Sequence, residues 1–265
     1  MRLLATDLDG TLLGPNGTLS TRNIAALHAA RASGWYVVLA SGRPPFMVAA
    51  LMDDLGGAVT HGVLANGSVV CTLPDRTVLR ALRFDIESVR TVVRTLRKYD
   101  GRYGFALASD AGFAHEAGFA ERMPAPQIVP PTDDVLAASE LATEAVKLMV
   151  FHDDFHSHEL LGLLPTILGT ELSVTHMGAD CVEVGPPGID KATGLSWLCA
   201  ELGVEAADVV VFGDEFNDHE MMRWAGHSVA VANAHPATRS LATEVTASNI
   251  DDGVALVIER LLAET

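Results

Sequence analysis

The stretch Leu3-Leu4-Ala5-Thr6-Asp7-Leu8-Asp9-Gly10-Thr11-Leu12 decides the reading of this chain. A short apolar run breaks abruptly into Asp7, Asp9, Gly10 and Thr11, as a buried parallel strand does when it delivers polar groups at its C-terminal end. In open α/β sheets ligands bind at that edge. The pattern then repeats. Ser20 is placed to cap a helix through Ile24, Leu27 and Arg31 that stops at Gly34, and Trp35 to Ala40 is a second apolar run ending in Ser41-Gly42-Arg43-Pro44. A helix over 45–55, with Pro45 at its start and Gly56 after its end, leads to a third run that meets a turn at Asn66-Gly67. The order β-α-β-α-β predicts an α/β fold with a doubly wound, mainly parallel, Rossmann-like sheet.

Further along the style changes. Strand-like runs at 78–84, 103–108, 146–151, 172–176 and 181–184 are separated by two amphipathic helices, near 85–99 and 156–168. Alternation on these strands predicts a sheet covered on one face and wet on the other. Met123-Pro124-Ala125-Pro126 and Val129-Pro130-Pro131 are loop, because proline cannot donate to a ladder. After Gly185-Pro186-Pro187-Gly188 the α/β style resumes, with a helix over 191–202, the run Val209 to Phe212, and the polar turn Gly213-Asp214-Glu215-Phe216-Asn217-Asp218. A helix to Ala225, strands near 229–231 and 245–246 and a final helix over 252–263 complete the chain. The expected organisation is a core split between 1–80 and 186–265, with an α+β domain at 81–185 inserted into it and a ligand cleft between the two.

Composition narrows the function. The chain has 265 residues, 49% hydrophobic and 20% charged, enough to bury a sizeable core and too apolar for disorder. Eighteen Lys+Arg against 34 Asp+Glu give a formal net charge of −16, which repels phosphate backbones and anionic lipid, so neither a nucleic acid nor a membrane is an expected partner. Cys71, Cys181 and Cys199 form no CxxC pair and fit buried small residues in a reducing compartment. Asp7 falls where a signal peptide needs an apolar run, and no stretch of about 18 apolar residues follows, so a soluble cytoplasmic protein is expected.

Four polar clusters follow predicted strands or open a helix: Asp7 with Asp9, Ser41 with Arg43, Lys191, and Asp214 with Asn217 and Asp218. Parallel strands converge at one sheet edge, so the four can share a site. Two carboxylates on one strand end and a third from another strand make an oxygen cage of the kind magnesium prefers, whereas zinc wants Cys or His at ligand spacing. A lysine and a small hydroxyl beside such a cage suit a group with several negative oxygens, a phosphoryl group above all. Taken alone, an Asp-x-Asp after a strand is an ordinary turn; four clusters in this order are not.

At these residues the chain resembles the haloacid dehalogenase-like (HAD) superfamily. Asp7-Leu8-Asp9-Gly10-Thr11-Leu12 resembles its first motif, Ser41-Gly42-Arg43-Pro44 its second, Lys191 its third and Gly213 to Asp218 its fourth. The large insertion between the second and third motifs, with Asn66-Gly67, Val231-Ala232-Asn233-Ala234 and Asn249-Ile250-Asp251-Asp252-Gly253-Val254, resembles the Cof-type, class IIB branch. At Val231-Ala232 the chain departs from the Met-Gly pair common there.

The resemblance implies a magnesium-dependent phosphatase of small phosphomonoesters, such as a sugar phosphate or a phosphorylated cofactor. Asp7 would be the nucleophile and form an aspartyl-phosphate. Asp9 would be general acid and then base, its pKa held above that of Asp7, which magnesium and Lys191 would keep ionised. Asp7, the Asp9 backbone carbonyl and Asp214 would hold magnesium, with Asp218 and Asn217 acting through water. Ser41, Gly42, Arg43, Lys191, Asn217 and Asn66 would face the substrate. A mutase or phosphotransferase and a non-catalytic phospho-ligand sensor are the alternatives, and the expected assembly is a monomer or homodimer.

Elsewhere the ordinary reading prevails. His152, His156 and His158 straddle a strand-to-helix loop and suit loop and N-cap roles better than a second metal site. His115, Glu116, His176 and Met177 need no function, and Met221-Met222-Arg223-Trp224 reads as helix packing.

Overall fold

The computed structural model describes residues 2–109, 112–122, 131–137, 145–176 and 180–264. They divide into two compact units, Met1–Ala81 with Asp190–Thr265, and Leu82–Ile189.

The first unit is built on β1 (Leu3–Thr6), β2 (Tyr36–Ala40), β3 (His61–Leu64), β4 (Val69–Thr72), β5 (Val78–Ala81), β11 (Val209–Gly213), β12 (His227–Ala230) and β13 (Glu244–Val245). Their order across the sheet is β13-β12-β11-β1-β2-β3-β4-β5. From β13 to β3 every pairing is parallel; β4 and β5 add an antiparallel edge. Leu3, Leu4, Val37, Val38, Val209 and Val211 are wholly buried, as strands covered on both faces must be. The helices of this unit include α1 (Thr21–Ala32), α2 (Pro45–Val48) and α3 (Met52–Leu55). The Ser20 hydroxyl accepts the Asn23 N–H at 2.9 Å and caps α1, as its sequence predicts. The single helix expected over 45–55 is instead two short α-helices joined by a 3-10 turn at Ala49–Leu51.

β1 lies between β2 and β11, with Thr6 level with Leu39 on one side and Phe212 on the other. The chain winds outward from β1 in one direction, returns, and winds outward in the other. The ends of β1, β2 and β11 therefore meet at a topological switch point.

The second unit carries α4 (Ile86–Tyr99), β6 (Tyr103–Ser109), β7 (Phe113–His115), β8 (Ala145–His152), α5 (Ser157–Leu168), β9 (Ser173–Thr175) and β10 (Val182–Gly185). Its sheet is antiparallel, ordered β7-β6-β8-β10-β9. Val89, Val93 and Leu96 of α4 and Leu160 and Leu164 of α5 bury against Phe105, Leu107, Leu148, Val150, Val182 and Val184. Burial of this order contributes about 1.5–3 kcal/mol per side chain.

Two expectations are corrected here. The run 78–84 does not open the insert, because Val78–Ala81 pairs with β4 and forms the edge of the first sheet. The insert's sheet has no wet face along its middle strands, since every residue of β6 and β8 is buried. Alternation misled because the second face holds small or paired residues: Gly104, Ala106 and Ala108, a Lys147–Glu183 ion pair, and Phe151. Phe119 packs 6.0 Å from Phe151, and the Arg122 guanidinium lies 4.8 Å from the Phe151 ring centre. The proline loop at 123–126, residues 129–130 and Met177 lie outside the described residues.

Candidate active site

At the C-terminal end of β1 the chain turns back on itself. The N–H groups of Thr11, Leu12 and Leu13 all point to the Leu8 carbonyl, at 3.3, 3.1 and 2.8 Å. Asp7 and Asp9 stand on this turn. The Asp7 side chain is 8% exposed and that of Asp9 39%, so only the first is taken out of water.

Lys191 reaches Asp7 from the first turn of α6 (Lys191–Leu202), where Asp190 caps the helix by accepting the Thr193 N–H. Its ammonium is fully buried and donates to Asp7 Oδ1 at 2.6 Å and Asp218 Oδ1 at 2.7 Å. A solvated helix-surface lysine is thereby excluded. Asp218 ends a 3-10 turn, Phe216–Asp218, after β11, and its Oδ2 accepts the N–H groups of Asp214 and Glu215 at 2.9 and 3.0 Å. Asp214 accepts the Thr11 hydroxyl on Oδ1 at 2.6 Å. Thr11 is a site residue that sequence reasoning quoted without a role. Gly10, at φ +80°, leaves room for Asp214, whose carboxylate fills the space a Cβ would take.

The second cluster sits beside the first. The Ser41 hydroxyl is buried and accepts the Arg43 N–H at 3.1 Å, leaving its own proton to donate. Arg43 turns to Asp9, with Nε 2.8 Å from Oδ2 and Nη2 2.6 Å from Oδ1. Asn66 stands in a turn where Ala65, Asn66 and Gly67 all have positive φ, and it accepts from Asn217 Nδ2 at 3.2 Å. The turn donates from Ala65 N–H to the Arg43 carbonyl and from Asn66 N–H to the Ser41 carbonyl. Gly67 abuts the Asp190 carbonyl and Gly194. All four sequence clusters, with Gly42 between Ser41 and Arg43, thus lie on one sheet edge.

Electrostatics adds one fact. Burial raises the Asp7 carboxyl above the usual carboxylate range; Lys191 opposes this and Asp218 reinforces it. Lys191 thus offsets the burial of Asp7 only in part. Asp214 is raised too, by burial first and then by Asp7 and Asp218. Burial acts to lower the Lys191 ammonium, but Asp218 and Asp7 outweigh it and keep it charged. Three buried carboxylates thus share one ammonium. Asp7, Asp214 and Asp218 each place a carboxylate oxygen within 4.8 Å of the others. An all-oxygen set short of positive charge fits a hard divalent cation such as magnesium.

Other clusters take structural roles. Among the described residues no other group of three His, Cys, Asp or Glu is placed to hold a metal. His156 caps α5 and its N–H donates to Glu159 Oε2, while His152 is buried and accepts the Asp154 N–H on Nδ1. His115 and Glu116 are buried, and Glu116 accepts from Arg97 at 2.5 Å and from the Val135 N–H at 3.0 Å. Met221 and Met222 lie in the core, and Cys71, Cys181 and Cys199 are buried free thiols.

Sequence and fold comparisons agree with this geometry. The description of the haloacid dehalogenase-like hydrolases matches residues 4–258. The chain belongs to that family. A pyridoxal phosphate phosphatase of Escherichia coli is 29% identical to this HAD-like hydrolase, over 97% of each chain. A 5-amino-6-(5-phospho-D-ribitylamino)uracil phosphatase of Bacillus subtilis is 28% identical over 99% of each. Among solved structures, a HAD phosphatase of Bacteroides thetaiotaomicron superposes with a TM-score of 0.81 at 26% identity, covering 98% of this chain and 94% of that one. A subclass IIB sugar phosphatase shares the fold, with a TM-score of 0.82 at 20% identity over 98% and 99% of the two chains. The resemblance to the haloacid dehalogenase-like superfamily is borne out. No helix among the described residues is long and apolar enough to cross a membrane.

Proposed function

We propose that this HAD-like hydrolase is a magnesium-dependent phosphatase that cleaves the phosphomonoester of a small metabolite through an aspartyl-phosphate on Asp7. The observation that carries the reading is the buried Lys191 ammonium, held between Asp7 and Asp218 with Asp214 beside them. A cage of this charge has no evident use in a pure packing role, since burying three carboxylates around one ammonium costs stability.

Asp7 attacks phosphorus, and the bond to the leaving oxygen breaks as Asp9 delivers a proton to it. Asp9 then takes a proton from the water that opens the acyl phosphate, which regenerates Asp7. Asp9 is more exposed than Asp7, and Arg43 sets where its carboxylate rests by donating to both oxygens, so one oxygen has to leave that fork when the proton moves. Lys191 and the Ser41 hydroxyl face the charge that grows on the phosphoryl oxygens. Magnesium held by Asp7, Asp214 and the Asp9 carbonyl, with Asp218 and Asn217 acting through water, would neutralise the repulsion between nucleophile and phosphoryl group. Gly42 and Asn66 stand beside Ser41 and Asn217 as substrate-facing positions.

A small phosphorylated metabolite as substrate is supported by the relatives, which are named for pyridoxal phosphate and for a phosphoribitylamino-uracil. Phosphate release from these two compounds and a set of sugar phosphates, with magnesium and with chelator, tests the reading. Magnesium-dependent release that is lost in Asp7→Asn supports it. Isomerisation without free phosphate would replace it with a mutase, and ligand binding without turnover with a sensor.

A further inference from the structure

Three asparagines outside the four motifs converge on the turn that carries Asp9. Asn233, in the loop after β12, donates from Nδ2 to the Gly10 carbonyl at 2.7 Å, and its Oδ1 accepts the Asn249 N–H at 2.9 Å. Asn249 donates from its own Nδ2 to the Leu13 carbonyl at 2.7 Å. Asn23 of α1 donates to the Leu12 carbonyl at 3.3 Å, while its Oδ1 accepts the Ala255 N–H at 3.0 Å. Asn233 and Asn23 each use both ends of the carboxamide, Asn249 uses its Nδ2 and its backbone N–H, and the carbonyls of residues 10, 12 and 13 each receive one asparagine donor.

This arrangement is more than packing. Asn233 is exposed, where a hydrogen bond adds little to stability. Yet it meets the Gly10–Thr11 peptide, one removed from Asp9, on a turn already closed from inside by the Leu8 carbonyl and by Thr11 on Asp214. Asparagine suits the task because one planar group both accepts from one chain segment and donates to another.

We infer that Asn233 and Asn249 are positioning residues for Asp9, fixing the backbone on which the acid–base carboxylate stands without touching substrate. The inference rests on the acid–base reading of Asp9. Protonation of the leaving oxygen matters most when the leaving group is poor, so loss of positioning steepens the dependence of kcat/KM on leaving-group pKa. A fault in folding alone lowers all substrates by one factor.

The test measures kcat/KM of Asn233→Ala, Asn249→Ala and Asp9→Asn on phosphomonoesters from 2,4-dinitrophenyl phosphate to an alkyl phosphate. Asn233→Asp is included as a variant of equal size that cannot donate to Gly10. The asparagine variants are expected to lose about tenfold or more on the alkyl ester and less than about threefold on the dinitrophenyl ester, a muted copy of Asp9→Asn. A steep Asp9→Asn profile beside parallel, unsteepened asparagine profiles overturns this inference alone. An Asp9→Asn profile with no added slope overturns the acid–base reading, and this inference with it.

Discussion

Arg43 grips both oxygens of Asp9, through Nε at 2.8 Å and Nη2 at 2.6 Å, in the fork geometry that only arginine supplies. In this arrangement its guanidinium serves Asp9, where its sequence position suggested a phosphate contact. Arg43→Lys keeps the charge and loses the fork. The expected result is a fall in kcat of about tenfold or more with a smaller change in KM, because orientation of the acid–base group is lost while uniform binding is not. Steady-state kinetics on a phosphomonoester decides it; a rise in KM alone would return Arg43 to substrate binding.

Asp7→Asn removes the nucleophile and leaves Lys191 paired with Asp218. Phosphate release should fall by at least about four orders of magnitude. The thermal midpoint should hold or rise, because burial already disfavours the Asp7 charge. Residual turnover near the wild-type rate would end the nucleophile assignment.

The raised carboxyls set a pH dependence. An acid whose folded pKa lies above its unfolded value binds protons more tightly when folded, so stability is lost as pH rises from the ordinary value of 3.8 through the folded value. Chelated protein should therefore melt lower at about pH 8 than at about pH 5, and Asp214→Asn should flatten part of that slope. Added magnesium should raise the midpoint more at the higher pH, where the carboxylates it needs are ionised. Equal shifts at both values would argue against these carboxylates as the magnesium site.

Much of this was legible in the sequence because strand ends announce themselves. Asp7, Ser41 and Asp214 each follow a run of buried residues, and β1, β2 and β11 place them together by topology. What the residues touch was not legible. Nothing along the chain says that Arg43 turns to Asp9 or that Asn233 meets Gly10, 223 positions away, because those contacts depend on how separate loops pack. The insert misled for a related reason. Its alternation gave the period of a half-wet sheet, while Gly104, Ala106 and Ala108 let the second face of β6 be buried as well.

Gly10 tests how tightly the turn is built. It holds φ +80°, and its missing Cβ makes space for the Asp214 carboxylate. Gly10→Ala should cost about 1–2 kcal/mol for the left-handed backbone alone, with more for displacing Asp214. The same displacement should lower kcat/KM by about a hundredfold, since an error near 1 Å at a reacting centre has that effect. Denaturant unfolding and kinetics on one preparation check both, and a variant of full activity would show that Asp214 tolerates movement.

The ion pair between Lys147 of β8 and Glu183 of β10 makes a separable prediction about the second unit. Both side chains are almost wholly buried, at 5% and 1% exposure, so removing one takes the opposite charge from the other in a medium that penalises charge. Glu183→Leu should cost about 3–5 kcal/mol, whereas Lys147→Met combined with Glu183→Leu should recover most of that loss, because the pair's attraction only offsets its desolvation. Thermal midpoints of the two single variants and the double variant form a closed cycle. Additive losses would mean that the two charges do not depend on each other, and that the polar pair on this face is held by contacts other than the one joining them.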